Sequence, residues 1–271
     1  MKQQKWADLP LRLTSAVVML FVFVGSLYVG SKGVLILGFV SVVAMLWELT
    51  RMFGLTGRRL FAVTAVAVLG WLPMVVDPAI LNSGLMLPSV SGFLTILIGS
   101  SLVKKNRGVY VAYGALLTVG MLAFWYLVLN FGIVGIGILA VLVILSDIGG
   151  YIAGRSIGGA KLWPSISPKK TWSGTIVGWV LAISFGFVLM QYSGVYWMAS
   201  FTSIAHWMIP ISVLVVFGAQ MGDIAESWLK RCVGVKDSSN LIPGHGGFLD
   251  RFDGFIGAAA VLGIITALLL D

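Results

Sequence analysis

Apolar residues run in long blocks along the chain, and polar residues gather in a few short segments between them. Blocks near the ~20 residues that cross a bilayer as a helix fall at Leu13–Gly30, Gly33–Thr50, Leu60–Val76, Leu85–Val103, Val109–Phe131, Ile133–Ser146, Thr175–Tyr192, Ile204–Gln220 and Phe255–Leu270. The pattern predicts an all-α polytopic integral membrane protein with about nine transmembrane helices. The fourth block, interrupted by Pro88 and by serines and glycines, carries the weakest signal. The first follows Lys2, Lys5 and Arg12 as the core of a signal peptide would, yet it is long and lacks a clear small-x-small cleavage site, so it reads as an anchor that stays. An N-terminal transmembrane region, 1–131, thus precedes a region, 132–271, that carries two long polar connections, 147–174 and 222–254.

Charge adds an orientation. With the N-terminus in the cytoplasm and alternation across these spans, every one of the 18 Lys and Arg residues except Lys32 falls on the cytoplasmic side. One span more or fewer would scatter the basic loops over both faces. The C-terminus is therefore expected outside and both polar connections inside, in a multi-pass protein of the cytoplasmic (inner) membrane. The outer side then offers only Lys32, Asp77 and Asp271. Composition excludes a soluble globular domain, with 59% hydrophobic residues, 10% charged residues and a mean hydropathy of +1.01. A net charge of +8 suits the anionic headgroups of membrane lipids, one reading of Arg51, Arg58 and Arg59, and no nucleic-acid partner is expected. The single cysteine, Cys232, has no intrachain disulfide partner. No internal repeat is evident, which weighs against an inverted-repeat transporter.

In such a chain a charge at mid-bilayer costs about 2.5–3.5 kcal/mol, so clustered charge marks candidate chemistry. In "ILSDIGGYIAGRSIGG", Asp147 follows the Ile133–Ser146 block, which is too short to cross ~30 Å at ~1.5 Å per residue. The helix is expected to continue past Asp147, leaving a carboxylate near the interface that needs a cation, a metal or a proton. The glycines at 149, 150, 154, 158 and 159 suit close helix packing. "SPKKTWSG", from Ser167 to Gly174, places two lysines and three hydroxyls before the seventh span, where a helix N-terminus favours an anion, although Lys-Lys also serves as an interfacial anchor. "GDIAESWLKR" sets Asp223, Glu226, Ser227 and Lys230 on one helical face, with Glu226 and Lys230 read as a solvated surface pair.

The densest segment is "NLIPGHGGFLDRFDG", from Asn240 to Gly254. Gly244, Gly246 and Gly247 free the backbone to approach an anion, and Lys236 and Arg251 can neutralise it. Asp250 and Asp253 lie three apart at the start of the last span. Carboxylates, cations and a glycine loop are what a metal–polyphosphate site requires, since oxygen ligands hold Mg²⁺ while metal and basic side chains spread the phosphate charge. His245 is read as a hydrogen-bonding residue in preference to a metal ligand, because Mg²⁺ prefers oxygen.

From Ser227 onward, "SWLKRCVGVKDSSNLIPGHGGFLDRFDG" resembles the signature of the CDP-diacylglycerol synthase (phosphatidate cytidylyltransferase) family. "GDIAES", "SPKKTW" and "SDIGGYIAGR" look like that family's other cytoplasmic blocks, so the likeness runs from about Ile133 to the end. The N-terminal spans match only in being hydrophobic. Ser239 stands where a glycine is common, and Ser173 where an acidic or amide residue is frequent. The resemblance implies Mg²⁺-dependent transfer of a cytidylyl group from CTP to phosphatidic acid, giving CDP-diacylglycerol and pyrophosphate, in phospholipid biosynthesis. It implies a membrane nucleotidyltransferase with catalytic Asp223, Lys236, Asp250, Arg251 and Asp253 facing the cytoplasm. Metal binding falls to Asp147, Asp223 and Asp250, with one metal or two left open, as is a homodimer. Substrate binding falls to Ser167, Lys169, Lys170, Thr171, Ser227, Lys230, Arg231, Asp237, Gly244, His245, Gly246 and Gly247.

Two other readings compete. Asp250, Asp253 and Gly254 reproduce the start of the CDP-alcohol phosphatidyltransferase motif, but "FIGAAAVLGIITALLLD" supplies neither the arginine nor the further aspartates that motif needs. A cation-coupled membrane transporter would use Asp147 and Asp223 as coupling carboxylates, but the outer side offers no matching site.

Overall fold

A computed structural model describes residues 9–76, 86–192 and 205–270. Lys2, Lys5, Asp77, Leu85, Ile204 and Asp271, used in the span and charge arguments, lie outside the described residues. The order is α1 (Leu9–Val29), α2 (Ser31–Met52), α3 (Gly57–Trp71), α4 (Pro73–Val76), α5 (Met86–Leu102), α6 (Arg107–Ser156), β1 (Lys161–Trp163), β2 (Ser167–Thr171), α7 (Trp172–Tyr192), α8 (Met208–Val233) and α9 (Leu249–Leu270). Among the described residues, 6 helices are long and apolar enough to cross a membrane, and two shorter apolar helices cover Leu13–Val29 and Pro88–Leu102. Phe21, Phe61 and Leu268 are 72%, 75% and 77% exposed, an outward apolar surface that suits lipid as solvent.

The 50 residues of α6 would extend about 75 Å as one rod, more than twice the hydrocarbon thickness. Gly132 breaks it, with φ 58° and ψ −149°, a conformation open to glycine and strained for other residues. A Cβ built on Gly135 would lie 3.6 Å from the carbonyl oxygen of Leu127, whereas an unbroken helix separates residues eight apart by about 12 Å. The chain therefore doubles back at Gly132, between the fifth and sixth apolar blocks. The second arm runs on past Asp147 to Ser156, as the short sixth block requires.

The helical expectation missed one element, the antiparallel hairpin of β1 and β2. Its turn carries Pro164 directly after Trp163, and the Ile166 N–H donates to the Trp163 carbonyl at 3.2 Å, closing a β-turn that proline's fixed φ favours. Strands this short carry too little alternation to compete with the flanking helical blocks.

Packing divides the chain into two compact units, Met1–Thr118 with Lys230–Phe252, and Val119–Leu229 with Asp253–Asp271. In the first, α2 packs against α1 and α3, and α3 against α5. Its buried core includes Met45, Leu46, Leu49 and Trp71, and Tyr110 bonds to Thr50 at 3.1 Å. The signature segment Lys230–Phe252 belongs to this unit by packing. In the second, glycines bring backbones together. A Cβ on Gly257 would overlap the Gly218 carbonyl, and one on Gly174 would lie 2.5 Å from the Gly150 carbonyl, so α8–α9 and α6–α7 meet at small-residue seams.

Candidate active site

The signature segment is organised around the N-terminus of α9, where the first amides of a helix lack intrahelical partners. Two carboxylates take them. Asp250 Oδ2, in the first turn of α9, accepts the Gly247 N–H at 2.9 Å and also the Ser238 N–H at 2.8 Å. Glu48, from α2, accepts the Phe248 N–H at 2.8 Å and the Leu249 N–H at 2.7 Å. Glu48 is fully buried, and Ser239 Oγ donates to its Oε1 at 2.5 Å. Ser238 Oγ lies 3.2 Å from Glu48 Oε2 and 2.9 Å from Asp250 Oδ2, its one proton shared between them. The Lys230 ammonium completes the cluster, 2.7 Å from Asp250 Oδ1.

This arrangement also gives Gly246 and Gly247 roles within the protein. The amides of His245 and Gly246 donate to the Ile242 carbonyl, and that of Gly247 to Asp250, so these three are engaged within the protein. Gly246 is needed for a turn at φ 90°, and a Cβ on Gly247 would overlap Ser238 Oγ and Glu48. The loop is shaped to wrap Glu48. His245 takes the expected hydrogen-bonding role, with Nδ1 2.9 Å from Ser15 Oγ. Arg251 donates twice to the His245 carbonyl, at 3.1 and 2.6 Å, and stays exposed, as do Arg231, Lys236 and Asp237.

A second carboxylate cluster lies in the other unit. Asp223, on α8, meets the Lys170 ammonium at 2.7 Å, and Ser227 Oγ, one turn on, lies 3.4 Å from its Oδ1. Asp147, on the second arm of α6, is exposed and interacts electrostatically with both Asp223 and Lys170. Lys170 also reaches the Gln220 carbonyl at 3.3 Å, and the Gln220 side chain accepts the Trp179 indole N–H at 3.1 Å. The strand period sends adjacent lysines of β2 to opposite sides, so Lys170 turns to Asp223 while Lys169 stays exposed. Ser167, partly exposed, opens the same strand.

The structure corrects the reading of Glu226 and gives Thr171 a helix-capping contact. Glu226 is 1% exposed, so burial rules out a solvated surface contact with Lys230. Thr171 is 4% exposed and accepts the Gly174 N–H at 3.3 Å, which makes it the N-cap of α7, with its hydroxyl turned to the helix end. The two departures from the family pattern both serve as loop ties: Ser239 donates to Glu48, and Ser173 donates to the Gly158 carbonyl at 2.6 Å. Asp253 turns back to accept the Gly254 N–H at 2.7 Å. Sequence reasoning overlooked Glu48 altogether, although an acidic residue inside the apolar run "AMLWELT" is the kind of costly exception that drew notice to Asp147.

Among the described residues, no group of three or more His, Cys, Asp or Glu side chains is placed to hold a metal ion. Mg²⁺ is commonly held by one or two carboxylates with water and substrate phosphates supplying the rest. The Asp223 side chain, 37% exposed, has room for such a ligand set, and the exposed Asp147 adds a second oxygen donor.

Comparison with known proteins places the chain in a family. The chain matches the family described as "Cytidylyltransferase family" over residues 10–269. It is 34% identical to the phosphatidate cytidylyltransferase of Brucella suis over 274 residues, covering 98% of this chain and 96% of the relative. It is 31% identical to the phosphatidate cytidylyltransferase of Staphylococcus saprophyticus, covering 94% and 97%. A segment of 131 residues, 47% of this chain and 32% of the relative, is 47% identical to the chloroplastic phosphatidate cytidylyltransferase 4 of Arabidopsis thaliana. With the match running through the N-terminal helices as well as the signature segment, the chain belongs to the cytidylyltransferase family.

Proposed function

We infer that this protein transfers a cytidylyl group from CTP to phosphatidate, giving CDP-diacylglycerol and pyrophosphate for phospholipid synthesis. The observation that carries the reading is near full-length similarity to phosphatidate cytidylyltransferases, together with a signature in which Ser227, Lys230, Lys236, Asp250 and Arg251 all stand in place. In the reaction a lipid phosphate oxygen forms a bond to the α-phosphorus of CTP, and the bond to the pyrophosphate oxygen breaks. The nucleophile is already anionic and needs no strong base. Several negative charges must instead be brought together and held in line, a task for fixed positive groups.

The exposed Lys169, Arg231, Lys236 and Arg251 are proposed to contact phosphates, and Lys170 and Lys230 to orient the carboxylates they bridge. Asp147 and Asp223 are proposed to hold Mg²⁺, and Asp250 is proposed, within its own unit, as a metal ligand through Oδ1, the oxygen facing Lys230. When bound, Mg²⁺ would draw charge from the triphosphate and the leaving pyrophosphate. We further propose nine spans in the cytoplasmic membrane with the polar connections inside, supported by the confinement of Lys and Arg to cytoplasmic segments. A reporter fused after Tyr192 should then read the outer side, and a cytoplasmic signal there breaks the nine-span order.

The deciding assay is purified protein in detergent with labelled CTP, phosphatidate and Mg²⁺. CDP-diacylglycerol and pyrophosphate in equal amounts are expected, and EDTA should abolish both. Absence of product under conditions where the protein is folded refutes the activity. Turnover of CDP-diacylglycerol with a small alcohol would favour the phosphatidyltransferase reading.

A further inference from the structure

Glu48 sits on α2, in a region whose sequence reads as membrane anchor, and nothing in the signature names it. Its side chain nevertheless has four donors on its two oxygens: Ser239 Oγ and the Phe248 N–H on Oε1, Ser238 Oγ and the Leu249 N–H on Oε2. A buried carboxylate is tolerated only when its acceptor capacity is filled, and the positive end of α9 favours a negative group there. A single side chain thus joins both ends of the loop between Ser238 and Leu249. Ser238 carries the connection onward to Asp250, which the Lys230 ammonium holds from the other side.

We propose that Glu48 is a positioning residue for cytidylyl transfer. Its carboxylate fixes the loop from Ser238 to Leu249 and, through the shared Ser238 hydroxyl, the orientation of the Asp250 carboxylate. The α2 span is therefore part of the catalytic apparatus. The effect on metal rests on the proposed role of Asp250 as a magnesium ligand, whereas the effect on the loop does not.

Glu48→Gln is the sharpest variant, because an amide has one acceptor oxygen and presents its own N–H groups to donors. At least one of the Phe248 and Leu249 amides then loses its acceptor, while side-chain volume stays nearly the same. In purified full-length enzyme, assayed below the melting temperature of each variant, Glu48→Gln should lower kcat by about 10–100-fold. The magnesium concentration for half-maximal rate should rise, and the KM for phosphatidate should stay unchanged. Ser239→Ala removes one donor and leaves the carboxylate in place, so it should move kcat and the magnesium requirement in the same direction by less.

Wild-type kcat and magnesium dependence in folded Glu48→Gln overturn the proposal, as does a loss of rate that tracks only the unfolded fraction. If Glu48→Gln does not fold, wild-type behaviour of Ser239→Ala in both readouts overturns it. An Asp250→Asn variant with unaltered magnesium dependence removes Asp250 from metal binding instead. In that case Glu48→Gln should still lower kcat while leaving the magnesium requirement alone, which separates the two failures.

Discussion

Lys230 and Lys170 each hold an aspartate at 2.7 Å, yet the two ion pairs have opposite surroundings. Asp250, 6% exposed at the side chain, accepts a backbone N–H from each of two loop residues as well as the ammonium. Beside it Glu48 has four donors. Asp223, 37% exposed, meets Lys170 closely and Ser227 only at 3.4 Å, and it shares its lysine with a second exposed carboxylate, Asp147. The first cluster is balanced by protein donors and holds a loop in one conformation. The second sets two carboxylates against one ammonium and is less enclosed by protein donors, which suits a site that receives a cation. Spacing along the sequence makes the two look alike, and the count of donors around each carboxylate separates them.

The largest expected effect belongs to the open cluster. Asp223→Asn keeps the shape but removes the charge that a hard dication requires, and turnover should fall by about 100-fold or more. Melting temperature should barely move, because a partly exposed ion pair contributes only about 0–1 kcal/mol. Raising Mg²⁺ should recover part of the rate. Wild-type turnover at limiting Mg²⁺ would remove Asp223 from the metal site.

Asp250→Asn should lose both activity and stability. Its amide must turn an N–H toward either the Lys230 ammonium or the donors at Ser238 and Gly247, and leaving such a buried group unsatisfied costs about 1–3 kcal/mol. Thermal unfolding of the two asparagine variants side by side is the check. Equal melting temperatures would erase the distinction between a closed and an open cluster.

Lys170→Ala refines the account of the open cluster. Removing the ammonium leaves Asp147 and Asp223 to repel each other with their shared cation gone, so added Mg²⁺ should be held more tightly even as turnover falls by about tenfold. A magnesium requirement that rises in this variant would show that Lys170 supports the metal instead of competing with it.

The open cluster was legible in the sequence because its residues announce themselves: Asp147 interrupts apolar surroundings, and Asp223 stands at the end of a span. The signature around Asp250 was equally visible as a motif. Its closed character was not, because Glu48 lies 190–201 residues away from the groups it binds, and no local spacing links them. Treating the apolar runs as anchors hid the one signal available, the cost of a carboxylate within the second run. The double-back at Gly132 followed from block length, whereas the β1–β2 hairpin did not, since its Trp163–Ile166 turn lies between strands too short to show a period.

The hairpin leads to the smallest effect. Thr171 ends the strand that presents Lys170 and caps the helix that follows it, so two roles compete for one hydroxyl: a helix cap, or the phosphate contact suggested by its place in "SPKKTWSG". Thr171→Ala removes either. If the cap is its role, stability should fall by about 1 kcal/mol, a shift of about 2–4 °C in Tm for a chain of this size, with the KM for CTP unchanged. Thr171→Ser, which keeps the oxygen and caps at least as well, should restore the lost stability. A KM for CTP raised about tenfold in the alanine variant at unchanged Tm would instead turn the hydroxyl toward substrate, and β2 would then join the phosphate-binding residues rather than only aim Lys170 at Asp223.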